Sequence, residues 1–289
     1  MHKAIFLIVL FFTTEKLFGQ DNITYQQPPK EILDLVNVQP APNVMMDTRK
    51  EYMVLRYRNM YKTLDDLNQE EIRLGGLRVN PVLNIGSTVS YSNNIKVQKI
   101  KGGTPVQVSG LPDNPKLTNF SWSLNEQKMA FTHTTKLGVE LWVLDIATAT
   151  AKKVTEAILN ANTGNPFSWY NDNEHLLVKM LPANRTALLD PKKTLPLGPT
   201  VAVSSGSKSQ NRTYQDLLKN PMDETNFETI VSSELYKVHL NGDRLLLFPK
   251  DLYVGESFSP DGNFIMLTTV KKPFSYIVPY SRFPLTTVV

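Results

Sequence analysis

The chain is 289 residues long, with 31 Lys and Arg against 27 Asp and Glu for a formal charge of +4, and it contains no cysteine. Without cysteine there is no disulfide scaffold, thiolate zinc site, cysteine catalysis or cysteine-linked lipid anchor. The basic residues are scattered and lack the focused patch that nucleic-acid binding needs, so nucleic acid is not an expected partner.

The first segment reads as a secretion signal. His2 and Lys3 precede AIFLIVLFF (4–12), and LFGQ (17–20) supplies a small residue for cleavage after Gly19. The apolar run is too short to span a bilayer as a helix. A signal peptide over 1–19 is therefore expected, in place of a membrane anchor or a buried first strand. It implies an exported chain, periplasmic or extracellular, with no stable membrane insertion after cleavage.

Residues 20–43 form a polar, proline-bearing lead-in. KEILDLVN (30–37) places Ile32, Leu33, Leu35 and Val36 on one side of a short helix, and Pro40 and Pro42 stop it. From 44 to 289 extended segments dominate, and Tyr52–Tyr57 alternates as a half-buried strand does. An insertion at about 59–90 breaks the pattern. TLDDLNQEEIRLGGLRVNP (63–81) predicts a short helix capped by Asp65 or Asp66 and ended by Gly75 and Gly76. NNIKVQKI (93–100), a Gly-Gly turn and TPVQVSG (104–110) then predict a hairpin.

A repeated corner gives the architecture. FSWSLNEQKMAF (120–131), FSWYNDNEHLLVKM (167–180) and ESFSPDGNFIMLTT (256–269) share an aromatic, a polar turn and an apolar strand. Strands are predicted at 119–123, 128–134, 139–145 and 151–155. Val139, Leu141 and Val143 alternate with Glu140, Trp142 and Leu144, leaving both faces largely apolar, as in a blade packed between two others. Trp122 and Trp169 stand one four-stranded blade apart, at roughly 40–50 residues per blade.

The longer gap from Trp169 to Phe258 reads as one blade with an insertion at about 182–230, in preference to an extra blade. Strands resume at ELYKVHL (234–240) and RLLLF (244–248). Inside the insertion a helix is predicted at Tyr214–Lys219, ending before Pro221. A fourth blade starts at Glu256, and PLTTVV (284–289) heads into another strand. The expected fold is all-β: an incomplete β-propeller of about three and a half four-stranded antiparallel blades, where closed rings have four or more.

No G-x-S-x-G elbow, HExxH motif, P-loop or Rossmann fingerprint is present. His133, His175 and His239 lie scattered in predicted strands and read as core or rim residues, so neither a metal nor a cofactor is expected. Asp65–Asp66, Glu70–Glu71 and Asp223–Glu224 read as solvated loop acids, with a calcium or substrate-amine site as the sharper alternative. Asp172 and Asp261 occupy equivalent turns, where the side chain bonds its own backbone. PFSYIVPYSRFP (273–284) groups Tyr280 and Arg282 among stiffening prolines. Either they form a rim that grips a peptide or its carboxylate, or they are blade packing plus a surface arginine. Arg212 and Tyr214 are candidates of the same kind. No catalytic residue is assigned.

Several segments together resemble the propeller of the prolyl oligopeptidase family of serine peptidases. They are PPKEILDLV (28–36), EIRLGGLRVNP (71–81), FTHTTKLGVELWV (131–143), RTYQDLLKNPMDE (212–224) and KPFSYIVPYSRFP (272–284). The nearest branch is the secreted bacterial and chloroplast glutamyl-endopeptidase-like group. The resemblance implies a seven-bladed propeller in front of an α/β-hydrolase domain with a Ser-Asp-His triad, the propeller gating access and orienting the peptide. The hydrolase domain has no counterpart in these 289 residues, so activity is an expectation about a parent protein. A stand-alone peptide- or partner-binding half-propeller and a nonfunctional remnant are the competing readings.

Overall fold

The computed structural model describes residues 27–190, 193, 206 and 214–289. The expected signal peptide and Arg212 lie outside the described residues. The chain divides into two compact units, Met1–Val38 and Gln39–Val289. In the first, α1 (Lys30–Val36) forms at the expected position with Pro29 as N-cap. An ion pair from Lys30 to Asp34, 2.7 Å and four residues apart, lies along its surface. None of its side chains is buried.

The second unit is a succession of antiparallel sheets. Blade 1 begins with β1 (Asn43–Met46) and β2 (Tyr52–Tyr57). An insertion comes next, carrying α2 (Leu64–Leu67) and the strands β3 (Ile72–Leu74), β4 (Leu77–Asn80) and β5 (Ile85–Gly86). The blade closes with β6 (Asn94–Lys99) and β7 (Val106–Gln107). Blade 2 is β8 (Leu117–Trp122), β9 (Lys128–Thr134), β10 (Val139–Asp145) and β11 (Thr150–Lys153).

Blade 3 pairs β12 (Phe167–Trp169) and β13 (His175–Met180) with β14 (Ser233–His239) and β15 (Arg244–Asp251). Residues 181–232 are therefore an insertion within one blade, with α3 (Pro221–Val231) inside it. Blade 4 has three strands, β16 (Tyr253–Phe258), β17 (Ile265–Val270) and β18 (Leu285–Val288). Three four-stranded sheets and one three-stranded sheet, each in sequential order, make a partial, unclosed β-propeller, with β3–β4–β5 as a small extra sheet.

Alternation in the middle blade explains how the blades stack. Val139, Leu141 and Val143 of β10 pack with Phe167, Trp169 and Val178 of blade 3. Trp142 and Leu144 face the other way, toward Val54, Ile95 and Val97 of blade 1. Both faces of β9 and β10 are buried, as their near-continuous apolar runs require.

The repeated corners share one backbone solution. Glu126, Asn173 and Gly262 have φ of 58°, 57° and 73° at equivalent positions. One residue earlier, Asn125, Asp172 and Asp261 each accept a backbone amide two residues on, from Gln127 at 3.1 Å, Glu174 at 2.9 Å and Asn263 at 3.2 Å. These are Asx turns, so Asp172 and Asp261 are turn formers.

Three local expectations are corrected. The expected cap of α2 is Asp65 or Asp66, but the N-cap is Thr63, whose hydroxyl accepts the Asp66 amide while Asp66 closes a capping box. Gly75 and Gly76 do not end a helix: with φ of 59° and 85° they turn the β3–β4 hairpin, in which Leu74 faces Leu77. Tyr214–Lys219 is irregular, and the helix begins at Pro221 instead. Proline in a first helical turn gives up no hydrogen bond, and Asn220 caps the helix by accepting the Asp223 amide at 2.9 Å.

Candidate functional site

The connections between the second and third strands of blades 1, 3 and 4 meet in one core. Leu74, Leu77 and Val79 come from the blade 1 insertion. Leu218, Phe227, Ile230 and Val231 come from blade 3, and Val270, Phe274 and Phe283 from blade 4. Phe227 meets Phe274 and Phe283 edge-on at 5.2 and 5.6 Å, and the latter two stack at 5.4 Å. Such contacts add roughly 0.5–1.5 kcal/mol per pair beyond area burial.

Three of the four sequence candidates lie on this platform. The Arg282 guanidinium sits 5.5 Å over the Tyr214 ring, and both residues are exposed. Tyr280 is half-buried, its ring 6.2 Å from Phe227. Burial pushes its hydroxyl pKa up. Its amide donates to the Gly75 carbonyl at 2.7 Å. The arrangement joins Arg282 to Tyr214 and turns Tyr280 toward packing. Nearby, the Tyr276 hydroxyl donates to Glu224 at 2.5 Å, and this bond pushes its pKa up to about 12. Asp223 accepts the Lys219 amide at 2.8 Å. Both members of that carboxylate pair thus serve local structure.

A cleft of about 1240 Å³ opens at the same end of the blades, between the blade 1 insertion and blade 2. Arg58, Lys62 and Tyr91 lie on one side, and Lys116, His133 and Lys136 on the other. Lys116 bridges to Asp66 at 2.6 Å and holds that carboxyl below its ordinary range. In the wall, Glu140 accepts the Trp142 indole N–H at 2.8 Å and lies 3.2 Å from His133 Nδ1. His133 and Glu140 are cross-strand partners, so strand register sets this pair. Thr134, 3% exposed, lines the cleft beside Tyr91.

The other two described histidines are structural. His175 Nδ1 bonds Asp172 at 2.7 Å, and His239 Nδ1 accepts the Asn241 amide at 3.1 Å. Among the described residues no three His, Asp or Glu side chains gather to hold a metal ion. No described helix is long and apolar enough to cross a membrane.

Sequence reasoning missed the groups that join the insertions. Asp216 takes Arg78 at 2.6 Å and Arg73 at 3.8 Å. Arg185 donates to the Thr229 carbonyl at the end of α3 and to Asn84. Asn160 donates to the carbonyls of Ile230 and Ser232, each at 2.9 Å. The one local signal available was IRL-GG-LRV, apolar residues flanking a Gly-Gly pair, which marks a hairpin.

No family model matches the chain. It is 31% identical over 275 residues to a protein of Oryza sativa subsp. japonica named probable glutamyl endopeptidase, chloroplastic, covering 90% of this chain and 29% of that protein. The corresponding protein of Arabidopsis thaliana is 30% identical over 274 residues, covering 90% and 28%. The chain thus spans less than a third of the length of these relatives. Among solved structures, an acylaminoacyl peptidase of Pyrococcus horikoshii matches 85% of this chain and 30% of its own, at 12% identity and a TM-score of 0.41. The chain is a β-sheet domain related at low identity to glutamyl-endopeptidase-like proteins.

Proposed function

We propose that this chain is the propeller part of an exported serine-type peptidase and that its insertion-bearing face gates and orients peptide substrate. The observation that carries the reading is its similarity, along 90% of its length, to much longer proteins named as glutamyl endopeptidases. The chemistry belongs to a further domain. There a serine would form an acyl-enzyme, a histidine would move the proton, and backbone amides would hold the oxyanion. In this chain the cleft and the joined insertions supply the contact surface. Arg282, its guanidinium 5.5 Å over the Tyr214 ring, presents a charge suited to a peptide carboxylate. Tyr280 supports that segment from within the core, and Arg212 lies in the sequence just ahead of Tyr214.

The role of this face is testable in the native full-length product. Arg282→Ala removes a binding contact and leaves the reacting groups intact. It is expected to raise KM for peptides by about tenfold, as loss of an exposed charge-assisted contact does, with kcat little changed. Unchanged KM and kcat would show that Arg282 takes no part in holding substrate.

A further inference from the structure

We propose that the Gly75–Gly76 hairpin tip is a clasp that ties blade 1 to blade 4 and fixes the arc of blades between them. The tip lies midway along the blade 1 insertion and enters a socket built by the connections of blades 3 and 4. Inside the socket the Gly75 carbonyl accepts the Tyr280 amide at 2.7 Å, and the Gly76 amide donates to the Asp216 carbonyl at 2.8 Å. The fit is tight at Gly75 and leaves no room for a Cβ at Gly76 unless Pro279 shifts. A Cβ on Gly75 would lie 3.3 Å from the Phe227 ring, and one on Gly76 would lie 2.7 Å from Pro279 Cβ. Both glycines also hold positive φ, which other residues adopt only with strain.

Charges reinforce the clasp from outside the socket. Asp216 takes Arg78 at 2.6 Å and Arg73 at 3.8 Å, and Gln215 takes the Arg78 Nη2 at 3.2 Å. Glu71 pairs with Arg73 at 2.6 Å and accepts the Ser87 hydroxyl. A second tie runs through Arg185, which joins Asn84 of the blade 1 insertion to the Thr229 carbonyl of blade 3.

The repeat architecture gives the clasp a mechanical consequence. In a chain of repeats each unit touches its neighbours alone, so small displacements add up along the series. A direct bond between the first and fourth units removes that freedom. Blades 1 to 4 then move as one body, and no passage opens between them without breaking the clasp. The clasp belongs to the chain's own mechanics and stands apart from the peptidase reading.

The absence of cysteine makes the test clean. Spin labels at Lys101→Cys on blade 1 and Thr286→Cys on blade 4 report the distance across the arc, and hydrogen exchange reports the Tyr280 amide. The expected result is a narrow distance distribution that broadens in both Gly76→Val and Asp216→Asn. Tyr280 exchange should accelerate about tenfold or more while the Leu141 amide in blade 2 keeps its protection. Asp216→Asn keeps the backbone carbonyl and should mimic the response of the unsubstituted clasp to high salt. It carries the test alone if Gly76→Val does not fold. A broad distribution in the unsubstituted chain would overturn the proposal. So would an unchanged distribution and unchanged Tyr280 exchange in the folded variants.

Discussion

The indole N–H of Trp169 donates to the backbone carbonyl of Ser121 at 3.2 Å, stitching blade 3 to blade 2. The ring itself is 5% exposed and belongs to the core shared by the two blades. Trp169→Phe keeps most of the apolar contact and loses the hydrogen bond, a loss of about 1 kcal/mol. Trp169→Ala also opens a cavity, at about 3–5 kcal/mol. Denaturant unfolding of the two variants should separate these values. Equal effects would show that the hydrogen bond, and not the ring, holds the interface.

Gly262 occupies the left-handed corner of blade 4, where a Cβ would come within 2.1 Å of the Asn171 amide of blade 3. Gly262→Ala is therefore expected to destabilise by about 1–2 kcal/mol from backbone strain alone, with more from the clash. Thermal unfolding measures it. A neutral effect would mean that the corner relaxes freely.

Glu256 and Lys179 form an ion pair of 3.3 Å across the blade 3–blade 4 interface, with side chains 9% and 3% exposed. Burial raises the Glu256 pKa, the lysine offsets only part of that, and one carboxylate oxygen has no partner. A carboxyl whose folded pKa is raised binds its proton more tightly when folded. Its contribution is fully present below the unfolded pKa and is lost as pH rises through the folded value. Glu256→Gln should therefore match the parent at acid pH and equal or exceed its stability at neutral pH. A large loss at neutral pH alone would show that the ion pair outweighs its desolvation.

Asp66 has the opposite sign. The Lys116 hydrogen bond lowers its pKa, so its stabilising contribution is present above the unfolded pKa and is lost as pH falls through the folded value. Acidification should free Lys116 and loosen the α2 wall of the cleft, and Asp66→Asn should abolish that pH response. Amide exchange along 63–68 is the measurement, and an identical acid response in Asp66→Asn would place the titration elsewhere.

The blades were legible in the sequence because their signals are local. A strand reads as period-two alternation, and each corner repeats an Asx residue followed by a left-handed one, as in Asp172–Asn173 and Asp261–Gly262. The doubled gap between Trp169 and Phe258 resolves into one blade because β13 pairs with β14 across the whole insertion. The platform was hidden for the converse reason. Gly75 meets Tyr280, and Arg78 meets Asp216, through contacts distant in sequence that no periodicity announces. Pro221 reads equally well as the end of one helix or the start of the next. Deciding between them needed Asn220, whose side chain caps α3 by accepting the Asp223 amide. Of the candidates, Arg282 and Tyr214 share a surface, while the Tyr280 ring turns toward the core.

The most direct test of the peptidase account is the native gene product, captured from the exported fraction with an antibody to residues 214–228 and treated with a serine-reactive probe. The account predicts a band far heavier than the 32.7 kDa of this chain, labelled by the probe and cleaving peptides. An unlabelled product no heavier than this chain would contradict it and leave a propeller that binds without catalysis.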